Sequence, residues 1–398
     1  MFEIKGKRNV AICYAKVFED EAIKQIKQML DYEFVQNSKI RIMPDVHAGK
    51  GCTIGTTMTI KDKVVPNLVG VDIGCGMYTV NLGKSEIDLE KLDIITHIIP
   101  SGMDVWNEKQ GNFDLQNLCC YDRLKNIKRL EQSLGTLGGG NHFIEVDQTK
   151  DGTKYLIIHT GSRNLGKQVA NIYQHLATEL HKDKDYSKQK DKIIQTYKEQ
   201  GRTKDIQEAL KELSSREKET EIPEELCYLY GSLVRDYLND VEICQNFAKQ
   251  NREKIAELIL EYLGINTNDG FHTIHNYIDV EEMILRKGAI AAHKGERVLI
   301  PINMRDGSVL AIGKGNPEWN YSAPHGAGRI MSRKKAKNEL DLEEYKKTMQ
   351  GIYTTSISKE TLDEAPMAYK KIDDIIDVIE ETVDIIEIMK PIYNFKAN

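Results

Sequence analysis

Apolar residues along this chain follow two spacings, one typical of helices and the other typical of strands. Residues 19–34 show the helical spacing and predict a helix whose apolar face comprises Ala22, Ile23, Ile26, Met29 and Leu30. The segment KIAELILEYL, residues 254–263, predicts a second amphipathic helix. Residues 368–389 predict a third helix, ended by Pro391, with the apolar stripe Ile372, Ile375, Ile376, Ile379, Val383 and Ile386.

Short apolar runs between glycine-rich turns predict strands. They are NVAICYA near the N-terminus, KIRIM, TTMTI and MYTVNL within residues 40–82, TKYLIIHT at 153–160, a β-rich stretch up to residue 313, and KPIYNFKAN at the C-terminus. Strands and helices follow one another without a long flexible linker. The pattern therefore predicts an α+β fold, with residues 1–398 forming a single large domain with mixed β-sheets.

A strongly charged segment of both signs occupies about residues 181–222, including KDKDYSKQKDK and KELSSREKETE. Two interpretations fit it, a mobile arm that binds RNA and a solvated helical insertion. Alternating charge leaves little net field to attract a polyanion, so the pattern favours the insertion.

Composition restricts the class of protein but not its function. The net charge of −6 and the pI near 6.0 argue against nucleic-acid binding by the whole surface, although a local site is compatible with them. No apolar run approaches a membrane span, and MFEIKGKRNV is unlike a signal peptide. We therefore expect a cytoplasmic protein without disulfides, and we expect five cysteines to be buried: Cys13, Cys119, Cys120, Cys227 and Cys244.

Side chains capable of chemistry cluster beside glycine-rich turns. In VGVDIGCGM, residues 69–77, Asp72 and Cys75 are three positions apart in a turn that can direct both at one ion, although such pairs are also common without a metal. In GTLGGGNHFIEV, residues 135–146, three glycines suit an anion-binding backbone, and His142 follows them. A flexible turn with a structural histidine is the alternative there.

Two further segments add histidines and an arginine. His159 ends an apolar strand in IIHTGSRNLG, and Arg163 follows in a turn suited to binding phosphate or carboxylate through two hydrogen bonds. His272 and His275 in FHTIHNYI would lie on opposite faces of a strand, so we expect one of them, His275, to be a ligand.

Together, Asp72, Cys75, His142, His159 and His275 offer more ligands than one tetrahedral ion needs. Two ions that share the thiolate would use all five, and two-metal sites suit phosphoryl transfer. Thiolate with imidazole favours zinc on ligand softness alone, and spacing does not settle the metal.

A separate histidine, His325, lies in SAPHGAGRIMSR. Gly326 and Gly328 allow the backbone to approach a ligand closely, and Arg329 and Arg333 place positive charge nearby. A metal-free histidine in this setting can act as a base or as a nucleophile towards phosphorus, whereas an isolated one would be a turn residue. The residues thus predict a two-metal phosphoryl-transfer site with a separate reactive histidine.

The chain resembles the RtcB family of RNA-splicing ligases. The resemblance rests on six motifs in the family's order: MPDVHAGKGCTIG (43–55), VGVDIGCGM (69–77), GTLGGGNHFIEV (135–146), HTGSRNLG (159–166), RKGAI (286–290) and HGAGR (325–329). A weaker match at KPIYNFKAN extends it over nearly the whole chain.

The resemblance implies a GTP-dependent ligase that joins an RNA 2′,3′-cyclic phosphate or 3′-phosphate to a 5′-hydroxyl RNA. It implies two Mn²⁺ ions rather than zinc, one held by Asp72, Cys75 and His142, the other by Cys75, His159 and His275. His325 would form a histidine–GMP intermediate, and the GMP would then pass to the RNA 3′-phosphate. Arg163 would contact the RNA phosphate.

The resemblance also implies a GMP pocket formed by Asn141, Phe143, Glu145, Asn276, Pro301, Met304, Ser308, Gly326, Ala327, Gly328 and Lys396. Two departures from the family pattern affect it. IPINMRDGSV, residues 300–309, has Ile302 and Asn303 where many members have Gly-Ser, and Ala397 replaces the terminal glycine. These departures suggest a divergent branch that acts in RNA repair rather than tRNA splicing.

Two other functions compete with ligation. A metal-dependent phosphodiesterase on the same scaffold would open RNA cyclic phosphates without sealing them, but it would have no use for His325, Glu145 and Lys396. A non-catalytic RNA-binding relative would have no use for a thiolate-bridged metal pair. The sequence therefore favours the ligase.

Overall fold

Strands and helices alternate irregularly along the described part of the chain. The computed structural model describes residues 1–49, 51–182, 184–216, 220 and 222–396. Its strands are β1 (Phe2–Lys5), β2 (Val10–Cys13), β3 (Ile40–His47), β4 (Ile54–Thr59), β5 (Lys63–Val64), β6 (Gly76–Gly83), β7 (Phe143–Gln148), β8 (Lys154–Thr160), β9 (Leu229–Tyr230), β10 (Gly270–Ile274), β11 (Asn276–Asp279), β12 (Ile284–Lys287), β13 (Ala289–Ala291), β14 (Arg297–Asn303), β15 (Gly307–Gly313), β16 (Ser322–Pro324) and β17 (Val383–Lys396). Its helices are α1 (Asp20–Met29), α2 (Leu89–Ile98), α3 (Ile127–Glu131), α4 (Arg163–Leu180), α5 (Lys184–Glu199), α6 (Ile206–Arg216), α7 (Ser232–Leu263), α8 (Arg333–Glu339), α9 (Leu342–Thr348) and α10 (Ile372–Ile379). The predicted α+β class is confirmed.

The larger sheet has seven strands in the order β10-β6-β8-β7-β17-β15-β14, and every neighbouring pair is antiparallel. Its register places His159 of β8 opposite Met77 on one side and Phe143 on the other. The residues that immediately flank these strands therefore meet at one end of the sheet.

A second sheet has six strands in the order β1-β2-β3-β4-β12-β11. The β2–β3 pair is parallel, and the other pairs are antiparallel. Between Ile42 and His47 the register of β3 against β4 shifts. The shift lies in the stretch of β3 that includes Asp45, which contacts His325.

Helix α7 connects the two main hydrophobic cores. It contains 32 residues, which corresponds to about 48 Å of helix. Its N-terminal half buries Val234, Tyr237, Val241, Cys244 and Phe247 in the core that also contains residues of β1 to β4 and α4. Its C-terminal half buries Ile255, Ala256 and Ile259 against the seven-stranded sheet. A single helix that spans both cores is compatible with the prediction that residues 1–398 form one domain. The number of domains stays a prediction.

The helix predicted over residues 368–389 is wrong in its second half. Helix α10 ends at Ile379, and residues from Val383 onward form β17, which lies between β7 and β15. Ile386, assigned to the buried stripe, is 55% exposed. A run of β-branched residues satisfies both periods, and only pairing with neighbouring strands selects the extended form. Pro391 does not end a helix but lies at a shift in the β17–β7 register.

Other predicted elements are mostly confirmed, with changes at their ends. Helix α1 ends at Met29, and residues 254–263 form the end of a helix that begins at Ser232. The charged segment is helical, as predicted, and contains α5 and α6. Four of the five cysteines expected to be buried are buried. Cys119 is exposed, and its neighbours are the surface residue Asn239, which donates to its Sγ atom, and Asp240, which accepts its backbone N–H.

Candidate metal centre

The candidate metal ligands lie at one end of four neighbouring strands. Cys75 precedes β6, His142 precedes β7, His159 is near the end of β8, and His275 follows β10. Because Gly76 pairs with Thr160 and with Ile274, and His159 pairs with Phe143, the antiparallel register places these four side chains together. The turn before Cys75 adds Asp72. The structure thus brings all five predicted ligands to one place.

The five side chains form two groups that share Cys75. The ligand atoms of Asp72, Cys75 and His142 lie within 4.8 Å of one another, and so do those of Cys75, His159 and His275. The Cys75 Sγ atom is 3.6 Å from His142 Nε2 and 3.3 Å from His159 Nε2. His272, by contrast, lies outside both groups and contacts Glu253 and Tyr78. This geometry suits two ions bridged by one thiolate.

Backbone carbonyls orient two of the histidines. His142 Nδ1 is 2.9 Å from the Leu137 carbonyl oxygen, and His159 Nδ1 is 3.1 Å from that of Asn141. A carbonyl oxygen only accepts, so each Nδ1 carries the proton and each Nε2 presents a lone pair to the cluster. His159 Nε2 also lies 3.3 Å from His275 Nε2. Lone pairs that converge at such distances are what a bound cation requires.

Burial of the cluster has opposite consequences for its histidines and its cysteine. It lowers the pKa of His159 and His275 well below the usual range, so both are neutral and able to coordinate. Burial, aided by the Asp72 charge, raises the pKa of the Cys75 thiol well above its usual range. A divalent cation reverses that balance, because coordination favours the thiolate. The donor set therefore fits a pair of divalent ions.

Arg252 supports the cluster and was not identified from the sequence. It is fully buried on α7 and donates from Nη1 to the carbonyls of Gly74, at 2.7 Å, and Thr160, at 2.8 Å. It thereby ties the turn that carries Cys75 to the end of β8. An arginine among apolar residues of a long helix has no local pattern that reveals such contacts.

Arg163 lies at the start of α4, next to Asp72. Its Nη2 donates to the Gly102 carbonyl at 2.7 Å, and its Nε donates to Thr136 Oγ1 at 3.0 Å. Burial acts to raise the pKa of Asp72, but His142 and Arg163 lower it overall. The predicted phosphate-binding arginine therefore borders the metal cluster.

His325 is held by Asp45, a residue that the sequence analysis did not select. Its Nδ1 is 2.6 Å from Asp45 Oδ2, and its backbone N–H donates to the same oxygen at 3.1 Å. The contact with a fully buried carboxylate assigns the proton to Nδ1 and leaves the Nε2 lone pair free. The His325 ring centroid is 5.0 Å from that of His275. A free imidazole nitrogen therefore lies beside the metal cluster. Asp45 is within MPDVHAGKGCTIG, but nothing local distinguishes it.

A close backbone approach next to His325 requires glycine. Gly328 has φ of 75°, and a Cβ atom there would lie 2.4 Å from the Asp45 carbonyl oxygen. The glycines of HGAGR were predicted to let the backbone approach a ligand, which stays a prediction. In the structure Gly328 lets the backbone approach the strand that carries Asp45.

A cavity of about 590 Å³ opens beside His325. Most residues predicted to bind GMP line it: Asn141, Phe143, Glu145, Pro301, Met304, Gly326, Ala327, Gly328 and Lys396. Asn276 and Ser308 do not line it. The Asn276 side chain accepts from the Gly288 N–H at 3.0 Å, and Ser308 is fully buried in β15.

The two departures at residues 302 and 303 affect the cavity directly. Ile302 and Asn303 both line it, and Asn303 is held by Asp306 at 2.8 Å. Ala397 lies outside the described residues. The cavity wall of this chain therefore differs in side chains from the family pattern.

Several ionisable groups that line the cavity are paired with one another. Lys396 Nζ is 2.5 Å from Glu364 Oε2, and Arg333 also binds Glu364. Arg329 donates to the Asp363 carbonyl oxygen at 2.6 Å. The arginines predicted to supply charge to His325 thus line the cavity but are engaged by this acidic segment, which the sequence analysis missed.

Glu145 lines the cavity and is buried. Asn394 donates to it, and Asp147 lies two residues further along β7. Burial, followed by the charge of Asp147, raises the pKa of Glu145 well above its usual range. Because Glu145 also lines the cavity, its carboxyl group is available to hydrogen-bond a ligand there.

A comparison with known families decides the relationship. The family model described as tRNA-splicing ligase RtcB matches residues 25–122 and 107–397. The chain belongs to the RtcB family. It is 30% identical to RNA-splicing ligase RtcB of Escherichia coli strain K12, over 90% of both chains. It is 26% identical to tRNA-splicing ligase RtcB of Aeropyrum pernix over 92% of this chain and 90% of that protein, and 26% identical to tRNA-splicing ligase RtcB of Thermococcus kodakarensis over 91% and 90%.

The resemblance to the RtcB family that the motifs predicted is therefore confirmed. Because this family consists of RNA-splicing ligases, the chain is a ligase. Within the part of the chain that the structure describes, every helix is too short or too polar to span a lipid bilayer.

Proposed function

We propose that this chain is an RNA ligase that joins an RNA end with a 2′,3′-cyclic phosphate or 3′-phosphate to a 5′-hydroxyl RNA end, using GTP and two Mn²⁺ ions. The observation that carries the proposal is the position of His325, with Nδ1 held by Asp45 and its ring 5.0 Å from that of the candidate metal ligand His275. Membership of a family of RNA-splicing ligases supports the choice of RNA as substrate.

The first step is the attack of His325 Nε2 on the α-phosphorus of GTP. An Nε2–phosphorus bond forms, the bond from that phosphorus to the bridging oxygen breaks, and pyrophosphate leaves. Asp45 keeps the proton on Nδ1 and stabilises the positive charge that develops on the ring. The product is histidine–GMP.

The metal ligands divide into the two groups described above. Asp72, Cys75 and His142 would hold one Mn²⁺, and Cys75, His159 and His275 would hold the other. When bound, the ions supply positive charge that offsets the triphosphate and the charge developing at phosphorus.

The later steps use the same residues in turn. An oxygen of the RNA 3′-phosphate attacks the GMP phosphorus, and the bond to His325 breaks, which gives an RNA end activated as a diphosphate ester. The 5′-hydroxyl then attacks the RNA phosphorus, GMP leaves, and a phosphodiester remains. Arg163, at the edge of the cluster, orients the RNA phosphate. A cyclic end must first be opened by water.

The cavity beside His325 is the proposed GMP site, formed by its nine predicted lining residues. Phe143 offers an apolar ring, and Lys396 Nζ lies 5.3 Å from the centre of that ring. In this proposal Glu145, which lines the cavity, binds the guanine edge and so favours GTP over ATP. Asn276 and Ser308 are left out of this proposal because they do not line the cavity.

The decisive test is labelling with α-³²P GTP and Mn²⁺, comparing the wild type with His325→Ala. We expect an acid-labile, alkali-stable adduct on the wild type alone. No adduct on folded, metal-loaded wild type would contradict ligation and favour the metal-dependent phosphodiesterase. In the same assay Arg163→Ala should label normally but fail to seal RNA, whereas loss of both steps would contradict its assigned role.

A further inference from the structure

A cationic surface lies on the segment YDRLKNIKRLE, residues 121–131, which contains α3. It carries four basic residues and two acidic ones, although the whole chain has a net charge of −6. Among the described residues, no carboxylate pairs with its basic side chains: Arg123, Lys125, Lys128 and Arg129. Glu131, at the end of α3, is already engaged by Lys109 at 2.6 Å. These cations are therefore available to an external anion.

This surface is joined to the metal cluster through the loop at residues 101–107. Arg163, which borders Asp72, donates to the carbonyl oxygen of Gly102. Arg129 donates to that of the next residue, Met103. Consecutive Cα atoms are about 3.8 Å apart, so one loop anchors both guanidinium groups close together. Adjacent residues of one loop thus bind the guanidinium group of Arg163, beside the cluster, and that of Arg129, on α3.

A surface groove runs between the loop and α3. Its volume is about 670 Å³, and Trp106, Lys128, Arg129 and Gln132 line it, together with Asp104 and others. Trp106 is half-buried, and its Nε1 donates to the Gly135 carbonyl at 2.9 Å, which fixes the ring. A fixed aromatic ring beside cations is typical of surfaces that bind single-stranded nucleic acid, since bases stack while phosphates pair with the charges.

We propose that this groove, the α3 groove, binds single-stranded RNA that extends away from the ends being joined. The proposal rests on the proposed ligase function and adds to it a binding surface outside the catalytic cavity. Lys128 and Arg129 pair with backbone phosphates, and a base stacks on Trp106. Binding of this kind depends strongly on salt and little on base sequence.

The first test measures affinity for a short, fluorescently labelled single-stranded RNA by anisotropy over a series of salt concentrations. The test variant is Lys128→Gln/Arg129→Gln. Lys7→Gln/Arg8→Gln is the matched control, since Lys7 and Arg8 are another exposed Lys-Arg pair outside the cavity. We expect about tenfold weaker binding in the test variant. The slope of log affinity against log salt should become less negative by about 1.4, because two phosphate contacts are lost. The control should match the wild type.

A second pair of measurements separates binding from loop distortion. Lys128→Gln alone should make the slope less negative by about 0.7. This variant should leave the loop in place, because among the described residues Lys128 makes no hydrogen bond to the loop. Of the two tryptophans, Trp319 is fully buried, so quenching of tryptophan fluorescence by RNA would report on Trp106.

The outcomes distinguish this proposal from the proposed function. Histidine–GMP labelling without RNA should be the same in all variants. Normal labelling combined with unchanged RNA affinity in both α3 variants would overturn the α3 groove and leave the ligase intact. Duplex RNA that competes as well as single-stranded RNA would also overturn it. Absence of labelling in the wild type would instead contradict the ligase function itself.

Discussion

At the scale of single residues, the reactivity of His325 depends on which of its nitrogens carries the proton. Asp45 decides this, because its Oδ2 lies 2.6 Å from Nδ1 and also accepts the His325 backbone N–H. The sequence predicted a reactive histidine but not its partner. The two residues are 280 positions apart, and only folding brings them together.

Asp45→Asn is expected to slow formation of histidine–GMP by a factor on the order of 10² to 10⁴. An asparagine amide can donate to Nδ1, which moves the proton to Nε2 and removes the attacking lone pair. The measurement is the rate of labelling by α-³²P GTP, with thermal unfolding as the control for folding. A rate equal to that of the wild type in a folded variant would exclude Asp45 from this role.

Cys75 is the one residue shared by the two groups of candidate metal ligands around the cluster. The variant Cys75→Ser is therefore expected to lose most of both ions, because a serine hydroxyl is a far poorer ligand than a thiolate. His142→Ala is the matched comparison and should weaken only the group that includes Asp72. Metal content per chain, measured by elemental analysis after gel filtration, tests this, and retention of one tightly bound ion in Cys75→Ser would contradict a shared thiolate.

At the scale of elements, the C-terminal strand β17 shows where apolar periodicity fails as a predictor. Apolar β-branched residues recur within residues 372–386 at helical and at strand spacings. From Val383 onward, the pairing of β17 with β15 and β7 selects the strand. The same strand delivers Lys396 to Glu364, at 2.5 Å, and so closes one wall of the cavity. Elements with one clear spacing, such as α1 and β8, were predicted correctly.

The Glu364 ion pairs make stability depend on pH. Burial acts to raise the pKa of Glu364, but Lys396 and Arg333 bring it down to about 2 from the usual 4.5. A lowered folded-state pKa means that the stabilisation is complete above pH 4.5 and is lost as the pH falls towards 2. At neutral pH this stabilisation amounts to about 3 kcal/mol, because the pKa of Glu364 falls from 4.5 to about 2 on folding.

Glu364→Gln should therefore lower the free energy of unfolding by about 3 kcal/mol at pH 7 and by roughly half as much at pH 3. Urea unfolding at both pH values measures the difference. Glu339→Gln, on the exposed surface of α8, is the control and should change little at either pH. A difference between Glu364→Gln and the wild type that is the same at both pH values would contradict this linkage.

At the scale of the whole molecule, the described residues of the charged insertion do not line the cavity beside His325. Its helices α5 and α6 contact each other, and Lys182 and Thr220 form an antiparallel bridge at its base. The ends of the insertion are therefore close enough for a short turn to join them.

Replacing residues 183–219 by a short Gly-Ser turn should leave histidine–GMP labelling within about twofold of the wild type. The described residues of the insertion do not line the cavity, and shortening a loop changes the free energy of closing it only slightly. RNA affinity should also be unchanged, because the α3 groove lies elsewhere. Labelling and anisotropy measure both properties. Weaker RNA binding with normal labelling would instead support the RNA-binding arm that the charge pattern left open.

The sequence by itself determined the residue types and their local settings: five candidate metal ligands beside glycine-rich turns, a separate histidine in HGAGR, and six ordered motifs that indicate the family. Local spacing carries this information because turns, periodicity and motifs involve neighbouring residues. The tertiary structure alone decided which distant groups meet. Strand register collected the ligands at one sheet end, and long-range packing added Asp45, Arg252 and Glu364, because contacts between residues far apart in sequence depend on the arrangement of the whole chain.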